Sequence, residues 1–498
     1  MVPTAQSQPS RLVALVRRLV ALPNETEWVE FKENNVKPDE IGEYISALSN
    51  GAALNGQTHG YLVWGIRDSD HAVVGTSFNP ATAKASGNED FLAWIIRLLF
   101  PQVHIAFHPF EMDGQRLVLL EVAATHTAPV RFKDFEYIRV GSYKKKLRDY
   151  PDHQRRLWRV FDQTSFEDNV AASSVSAQEV VDLIDYSSYH RLLNRPHAEQ
   201  LSQILNNLAS DDIIRESDTE GWDVTNFGAM LFARDIANFP PLSRKALRIV
   251  QFRGDNRINT VRETDGVHGY ATGFQGAVQY LNDMLPANEI IGQALRNDGR
   301  MFPELAIREL LANALIHQDF TQTGNGPMVE VFDSRVEITS PGRPLVDPSR
   351  FIDAPPQSRN EKIASMMRRA KICEERGSGW DKVAFEVELK QLPAPLILLP
   401  GTSTRVILYG PKPFSEMDKE ERLRAVYLHA CLRYVEGKTL TNSSLKERFA
   451  SDSVSVPTIS NLIRDAVNAG LVAAVDPTTG RRYMRYQPAW VLDDTAAL

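Results

Sequence analysis

The chain has 498 residues, 43% hydrophobic and 24% charged, an ordinary globular composition that excludes a largely disordered protein and sets a prior of about three domains. Its two cysteines, Cys373 and Cys431, exclude a disulfide framework or a cysteine zinc site and point to a reducing, cytoplasmic setting. No apolar run approaches the about 20 residues a bilayer span needs, and a net charge of −7 offers nucleic acid no chain-wide attraction.

Leu12, Leu15, Val16, Leu19 and Val20 recur at helical spacing among Arg11, Arg17 and Arg18. The pattern reads as a domain's first helix in preference to an Arg-bearing targeting segment. Trp28 to Phe31 predicts a short strand, and Asp39 to Leu48 a helix with Asp39 as N-cap. Tyr61 to Ile66 reads as a buried strand ending at Arg67-Asp68, with further strands at Arg116 to Val122 and Tyr137 to Val140. From Arg131 to Arg159, 10 basic residues stand against 4 acidic ones, a net of +6 over 29 residues. That is a phosphate-binding footprint or a solvated face. Residues 151–175 are polar, and Ala171 to Ser176 reads as a linker.

A helix-rich connector follows to about residue 300, entered by a capping box at Ser176 and Glu179 and containing a strand at Leu247 to Phe252. Beyond it, a helix over Glu304 to His317 precedes strands at Met328 to Phe332 and Arg335 to Thr339, with a closing strand at Thr404 to Leu408. In the last segment, helices are expected from Thr441 and from Val456, with Pro457 in the first turn. A two-stranded wing is expected from Leu471 to Val475 and Arg481 to Tyr486 around Pro477 to Gly480.

Glu25, Glu30 and Asp68 lie at the edges of two strands that would bring them together with Lys32. Three carboxylates suit a divalent cation, which prefers hard oxygen ligands and activates water at a phosphodiester. Solvated strand-edge carboxylates would look the same in the sequence.

Glu25-x4-Glu30-Phe31-Lys32, then Ser46-Ala47-Leu48-Ser49-Asn50, Gly60 to Asp68 and Tyr137-Ile138-Arg139-Val140-Gly141-Ser142 together resemble the Schlafen/AlbA-like pattern over about residues 24–145. The resemblance implies a nucleic-acid-directed domain. In its nuclease branch two glutamates and an aspartate, here Glu25, Glu30 and Asp68, serve metal-dependent RNA cleavage, with Mg²⁺ or Mn²⁺ the expected ion; Lys32 beside them is expected as a catalytic residue that offsets developing negative charge. The chain departs from the pattern by an insertion at residues 55–59, where His59 replaces the first glycine and Asp70 competes with Asp68 for the aspartate role.

Glu309 and Asn313 share one helical face, and Gly377 and Gly379 follow in Arg376-Gly377-Ser378-Gly379-Trp380. An Asn amide oxygen suits the Mg²⁺ of a nucleotide, and glycine amides suit phosphate. In this order, with His317-Gln318-Asp319 and Glu337 to Gly342, they resemble a divergent GHKL ATPase over about residues 300–410. That implies ATP as a ligand of Glu309, Asn313, Gly377 and Gly379. The adenine-reading aspartate of intact sites is missing from Ser340-Pro341-Gly342-Arg343-Pro344. The C-terminal pattern resembles a winged helix-turn-helix, with Ser455, Thr458, Ser460, Asn461 and Arg464 toward a major groove and Arg481 and Arg482 on the wing.

The expected architecture is a multidomain α/β (α+β) protein. It comprises a Schlafen/AlbA-like domain (1–150), a helical connector (151–299), a GHKL-like sandwich (300–412) and a winged helix (413–498). Two functions remain open. One is a metal-dependent endoribonuclease acting on tRNA or other RNA, as in anti-phage defence, with Lys144, Lys145, Lys146 and Arg148 tracking the backbone. The other is a non-catalytic DNA-binding regulator with a ligand- or ATP-sensing domain, reading DNA through Arg464 and Arg481. A homodimer or higher homo-oligomer and no membrane partner are expected in either case.

Overall fold

In a computed structural model of the chain, residues 8–492 are described apart from 23–25, 35, 86–88, 164, 220, 286, 291–296, 356, 374–378, 450–453 and 481–482. The chain forms two compact units, Met1–Val180 with Leu201–Asn226 and Val181–Gln200 with Phe227–Leu498.

The first unit opens with helix α1 (Gln8–Val20), strand β1 (Val29–Lys32), helix α2 (Pro38–Leu54) and strand β2 (His59–Trp64). Strands β3 (Ile105–Met112) and β4 (Gln115–Ala123) complete a sheet of order β1-β2-β4-β3, parallel only between β1 and β2. Successive strand residues point to opposite faces. Tyr61 and Val63 therefore pack with Leu12, Leu15, Val16 and Leu19 of α1, while Leu62 and Trp64 pack with Ile41, Ile45 and Leu48 of α2. Burial on both faces explains the continuous apolar run through β2, and it makes α1 a core element of the unit. The cap of helix α2 lies two residues earlier than expected, and the helix runs on to Leu54. Lys37 occupies the cap position without a side-chain cap, Pro38 supplies the first turn, and Asp39 places its charge in that turn.

The Ser46-to-Asn50 motif is a structural staple. Fully buried Asn50 donates from Nδ2 to the Val130 and Tyr137 carbonyls at 2.9 and 2.8 Å, and its Oδ1 accepts from the Val130 amide at 2.8 Å. Ser46 Oγ donates to the Val130 carbonyl at 2.7 Å and accepts from the Tyr137 amide at 2.9 Å. This fixes α2 against strand β5 (Phe135–Val140), which pairs with β6 (Tyr143–Lys146). Gly60 permits the approach of β2 to α2, since a Cβ there would lie 2.6 Å from the Leu48 carbonyl oxygen. Helix α3 (Pro151–Gln163) buries Leu157 in a core with Ile138 and Leu147.

The stretch read as a linker is instead strand β7 (Val170–Val175). It pairs antiparallel with β9 (Trp222–Thr225), which in turn pairs with β8 (Ile214–Glu216). Ala and Ser carry little strand signal, and the pairing partners arrive only after residue 213. The connector is accordingly shared between the two units.

The second unit contains β10 (Arg248–Phe252), β11 (Thr260–Asp265), α4 (Tyr270–Met284), α5 (Glu304–Ile316), β12 (Met328–Val331) and β13 (Arg335–Pro341). Helices α6 (Glu361–Arg369) and α7 (Gly379–Leu389) and strands β14 (Leu396–Leu398) and β15 (Ser403–Tyr409) follow. The six strands run in the order β11-β10-β12-β13-β15-β14, with β10 parallel to β12. Two strands thus come from before residue 300, because Ile249 and Val250 bury against the sheet that the later residues build. Helix α5 packs on β13, α4 and α7.

Helices α8 (Lys419–Val435), α9 (Asn442–Phe449) and α10 (Val456–Asn468) end the unit with strands β16 (Val472–Ala474) and β17 (Tyr486–Pro488). The last strand lies later than expected, as Ala474 pairs with Tyr486 and Val472 with Pro488. This register buries Val472. Arg481 and Arg482 lie outside the described residues.

Candidate functional site

At the edge of the first sheet, the parallel register sets Lys32 beside Trp64 and brings Asp68, just beyond β2, toward the same corner. Lys32 Nζ donates to Glu30 Oε1 at 2.6 Å and lies 3.8 Å from Asp68 Oδ2. Arg139 reaches the other Glu30 oxygen at 3.2 Å from β5. Glu30 is 3% exposed and Asp68 58%. Burial pushes the Glu30 carboxyl above its usual range, although Arg139 and Lys32 pull the other way. For Lys32, burial works against the charge, but Glu30, with Tyr44 and Asp68 nearby, outweighs it and holds the ammonium above its usual range. Asp70 is engaged in its own turn with Arg67 and the Ala72 amide, so Asp68 is the aspartate of this corner.

Glu30, Lys32 and Asp68 do converge, and Glu25 lies outside the described residues. Both Glu30 oxygens already face cations, and the space beside them is only about 10 Å³, about one water. Among the described residues no group of three or more His, Cys, Asp or Glu side chains is arranged to hold a metal ion. The described donors therefore do not fit a divalent cation as they are paired. The sequence reading missed Arg139 as a partner of Glu30. Its signal was an Arg set among the apolar residues Tyr137, Ile138 and Val140 of one strand.

The basic segment divides by role. Lys144 is tied to Glu43 at 2.5 Å and lies over the Tyr44 ring, so it belongs to the fold. Lys146 and Arg148 lie over Phe135, whereas Lys145 is exposed beside the exposed ring of Tyr143. A second cluster was not foreseen. Glu121, fully buried on β4, accepts from the Thr219 hydroxyl at 2.8 Å, lies 3.1 Å from His108 Nε2 and lies 3.8 Å from His59 Nδ1. The departure at His59 therefore supplies a buried imidazole to a buried carboxylate.

The second unit holds a cavity of about 620 Å³. Glu309 and Asn313 of α5 line it one turn apart, with Ser340 of β13 and Thr404 of β15. Leu345, Phe351 and Pro355 line it from the segment after β13, and Arg359 and Arg368 bring two guanidinium groups. Gly379 opens α7 against this wall. A Cβ there would lie 2.9 Å from Glu309 Oε2 and 3.7 Å from Asn313 Nδ2, so a side chain at this position would push on the Glu309 carboxylate. Lys382, one turn on, lies 3.9 Å from Glu309. Burial, with Arg359 nearby, holds the His317 imidazole below its usual range and so neutral. Gly377 lies outside the described residues. Gly342 has a φ of +104° and packs on Asp319, whose amide donates to the Pro341 carbonyl at 2.8 Å. The Ser340-to-Pro344 loop is thus closed on its own chain.

On α10, Thr458, Ser460, Asn461 and Arg464 are exposed. Ser455 caps the helix through the Thr458 amide at 3.3 Å, and Ser460 accepts from Asn442 at 2.8 Å. No described helix is long and apolar enough to cross a membrane.

Residues 25–148 match the family model described as Schlafen, AlbA_2, and residues 324–408 match that of the putative ATP-dependent DNA helicase recG C-terminal domain. No curated protein matches the chain. The chain is similar to the DIP2311 protein from Corynebacterium diphtheriae, known from a crystal structure, at 16% identity over 99% of each chain and a TM-score of 0.41. The chain is thus a multidomain α/β protein with a Schlafen/AlbA-type domain, a domain type tied to nucleic acid, and a recG-like, GHKL-type ATPase domain.

Proposed function

We propose that this protein is a nucleotide-responsive, nucleic-acid-binding regulator. The carrying observation is the 620 Å³ cavity that gathers Asn313, Gly379, Arg359 and Arg368, a volume in the range of small-molecule sites. Its ligand in this reading is ATP. Arg359 and Arg368 would offset phosphate charge, and the α7 N-terminus beside Gly379 would add amide donors. The Asn313 amide oxygen would serve as a ligand for the Mg²⁺ that accompanies the nucleotide. Glu309 is buried and faces Lys382, an arrangement that favours holding a ligand over rapid hydrolysis. In the second unit nucleic acid would meet the exposed α10 face, with α10 acting as the recognition helix of a winged-helix module; in the first unit the exposed Lys145 would supply a separate phosphate contact. Calorimetric titration with Mg-ATP tests the reading. Saturable binding that Gly379→Val abolishes supports it, and absence of binding by the wild type overturns it.

A metal-dependent endoribonuclease reading draws on one observation, the convergence of Glu30, Lys32 and Asp68. Incubating tRNA, single-stranded RNA and DNA with Mg²⁺ or Mn²⁺ decides between the two. Cleavage that Glu30→Ala abolishes would establish the nuclease. Intact substrates, with duplex DNA retained in a gel shift, would leave the regulator.

A further inference from the structure

Two sets of contacts within the second unit run from the cavity to the C-terminal helices. The first leaves through the segment after β13. Phe351 lines the cavity edge-on to Trp380, with ring centroids 5.3 Å apart. Two residues earlier, the Ser349 carbonyl accepts from the Tyr427 hydroxyl of α8 at 2.6 Å. That hydroxyl accepts in turn from the Trp490 indole at 3.1 Å, and the Arg350 guanidinium lies 4.4 Å from the Trp490 ring.

The second path is α7 itself, about 16 Å of helix at 1.5 Å per residue. Its first turn, Gly379 and Trp380, lines the cavity. Near its last turn, Glu388 pairs with His429 of α8 and with Arg448 of α9, the latter at 2.5 Å. The second His429 nitrogen lies 3.0 Å from Ser444 Oγ. A serine, a histidine and a carboxylate in a row suggest a nucleophile. Ser444 is buried, however, and its hydroxyl donates to the Thr441 carbonyl at 3.1 Å, so the row joins helices. Burying such groups is unfavourable unless each keeps its partner, so the network favours one placement of α8 and α9 against α7.

We infer that ligand occupancy of the cavity is transmitted to the α9–α10 surface through the Ser349–Tyr427 hydrogen bond and the Glu388–His429–Ser444 row. This regulation rests on the nucleotide reading above and deepens it. A ligand that moves Phe351 or Trp380 shifts Ser349 or the α7 axis, and either displacement meets α8 directly. Coupling of this kind is reciprocal: what loosens the α8 contacts must also change affinity at the cavity.

Hydrogen–deuterium exchange on the full chain, with and without saturating Mg-ATP, tests the inference. In the wild type, exchange is expected to change at residues 347–355, at α7, and also at residues 442–449 and 456–468. Tyr427→Phe removes one hydroxyl and keeps the ring. It is expected to retain the response at α7, lose at least half of that in α9 and α10, and shift ATP affinity about fivefold. Glu388→Gln is expected to act in the same direction by the second path. A wild-type response confined to the cavity segments would overturn the coupling and leave the nucleotide reading standing. Unaltered responses in both variants would overturn these residues as its route. Absence of any response to Mg-ATP would overturn the nucleotide reading and the coupling with it.

Discussion

Asn50→Ala separates a structural role for the Ser46-to-Asn50 motif from a binding role. The side chain makes three hydrogen bonds of 2.8–2.9 Å in a fully buried position, and truncation takes this partner from the Tyr137 carbonyl and the Val130 amide, while the Val130 carbonyl keeps the Ser46 hydroxyl. At about 0.5–1.5 kcal/mol net per bond, the loss is about 3 kcal/mol, before any added desolvation penalty on the stranded groups. In a unit of this size each kcal/mol moves Tm by about 2–4 °C, so the first-unit transition should fall by about 6–12 °C. Asn50→Asp keeps the acceptor for Val130 but turns both donors into an anion facing two carbonyls, and at pH 7 it should be at least as damaging. Calorimetric scanning of the full chain, with the two units' transitions resolved, reads the effect. A loss below about 1 kcal/mol for Asn50→Ala, accompanied by lost nucleic-acid binding, would refute the structural assignment.

Three further outcomes are expected. Burial opposes ionisation of Glu121, but the His108 hydrogen bond, His59 and the Thr219 hydroxyl outweigh it and hold the carboxyl below its usual range. Its contribution is therefore present above the unfolded carboxyl pKa and lost as pH falls through the lower folded value. Urea midpoints between pH 3 and 6 should fall with pH in the wild type and flatten in Glu121→Gln; an unchanged slope in the variant would exclude the assignment. Gly379→Val, whose branched side chain would press on Glu309 and into the cavity wall, should weaken Mg-ATP binding more than Gly379→Ala, whose Cβ meets only the movable Glu309 Oε2 at 2.9 Å; equal affinities for the two variants in a titration would contradict a close approach at this wall. Lys145→Ala should weaken nucleic-acid binding and reduce its salt slope by about one, whereas Lys144→Ala, whose partner is Glu43, should mainly lower stability. Equal salt slopes in the two variants would contradict that division.

What the sequence revealed, and what it hid, follows from the range of the interactions. Strand β2 and helix α5 were legible because burial of their own side chains writes an apolar pattern into consecutive residues. Glu30, Lys32 and Asp68 were placed together correctly because a parallel pair of neighbouring strands leaves few registers. Their charge state was not legible, because Arg139 comes from a strand far along the chain. The Glu121 cluster was hidden for the same reason: its partners lie 13 and 98 residues away, and a lone Glu in an apolar strand names neither. The linker reading of residues 171–176 failed on propensity. Small side chains form strand β7 only because β9 offers an edge, a tertiary effect outweighing a weak local preference. The sheet of the GHKL-like region likewise reaches back before residue 300, since β10 acquires its place only from β12.

The chain's path between the units carries a consequence for how the molecule is made. It passes from the first unit to the second after residue 180, returns at 201 and leaves again after 226. Strands β8 and β9, synthesised after that excursion, are the partners of β7. On a ribosome emitting about 5–20 residues per second, the amino-terminal unit cannot close until residue 226 has emerged. During that interval β7 presents an unpaired edge. A nascent chain halted between residues 176 and 213 should therefore be captured by holdase chaperones or proteases, whereas one halted well beyond residue 226 should escape them.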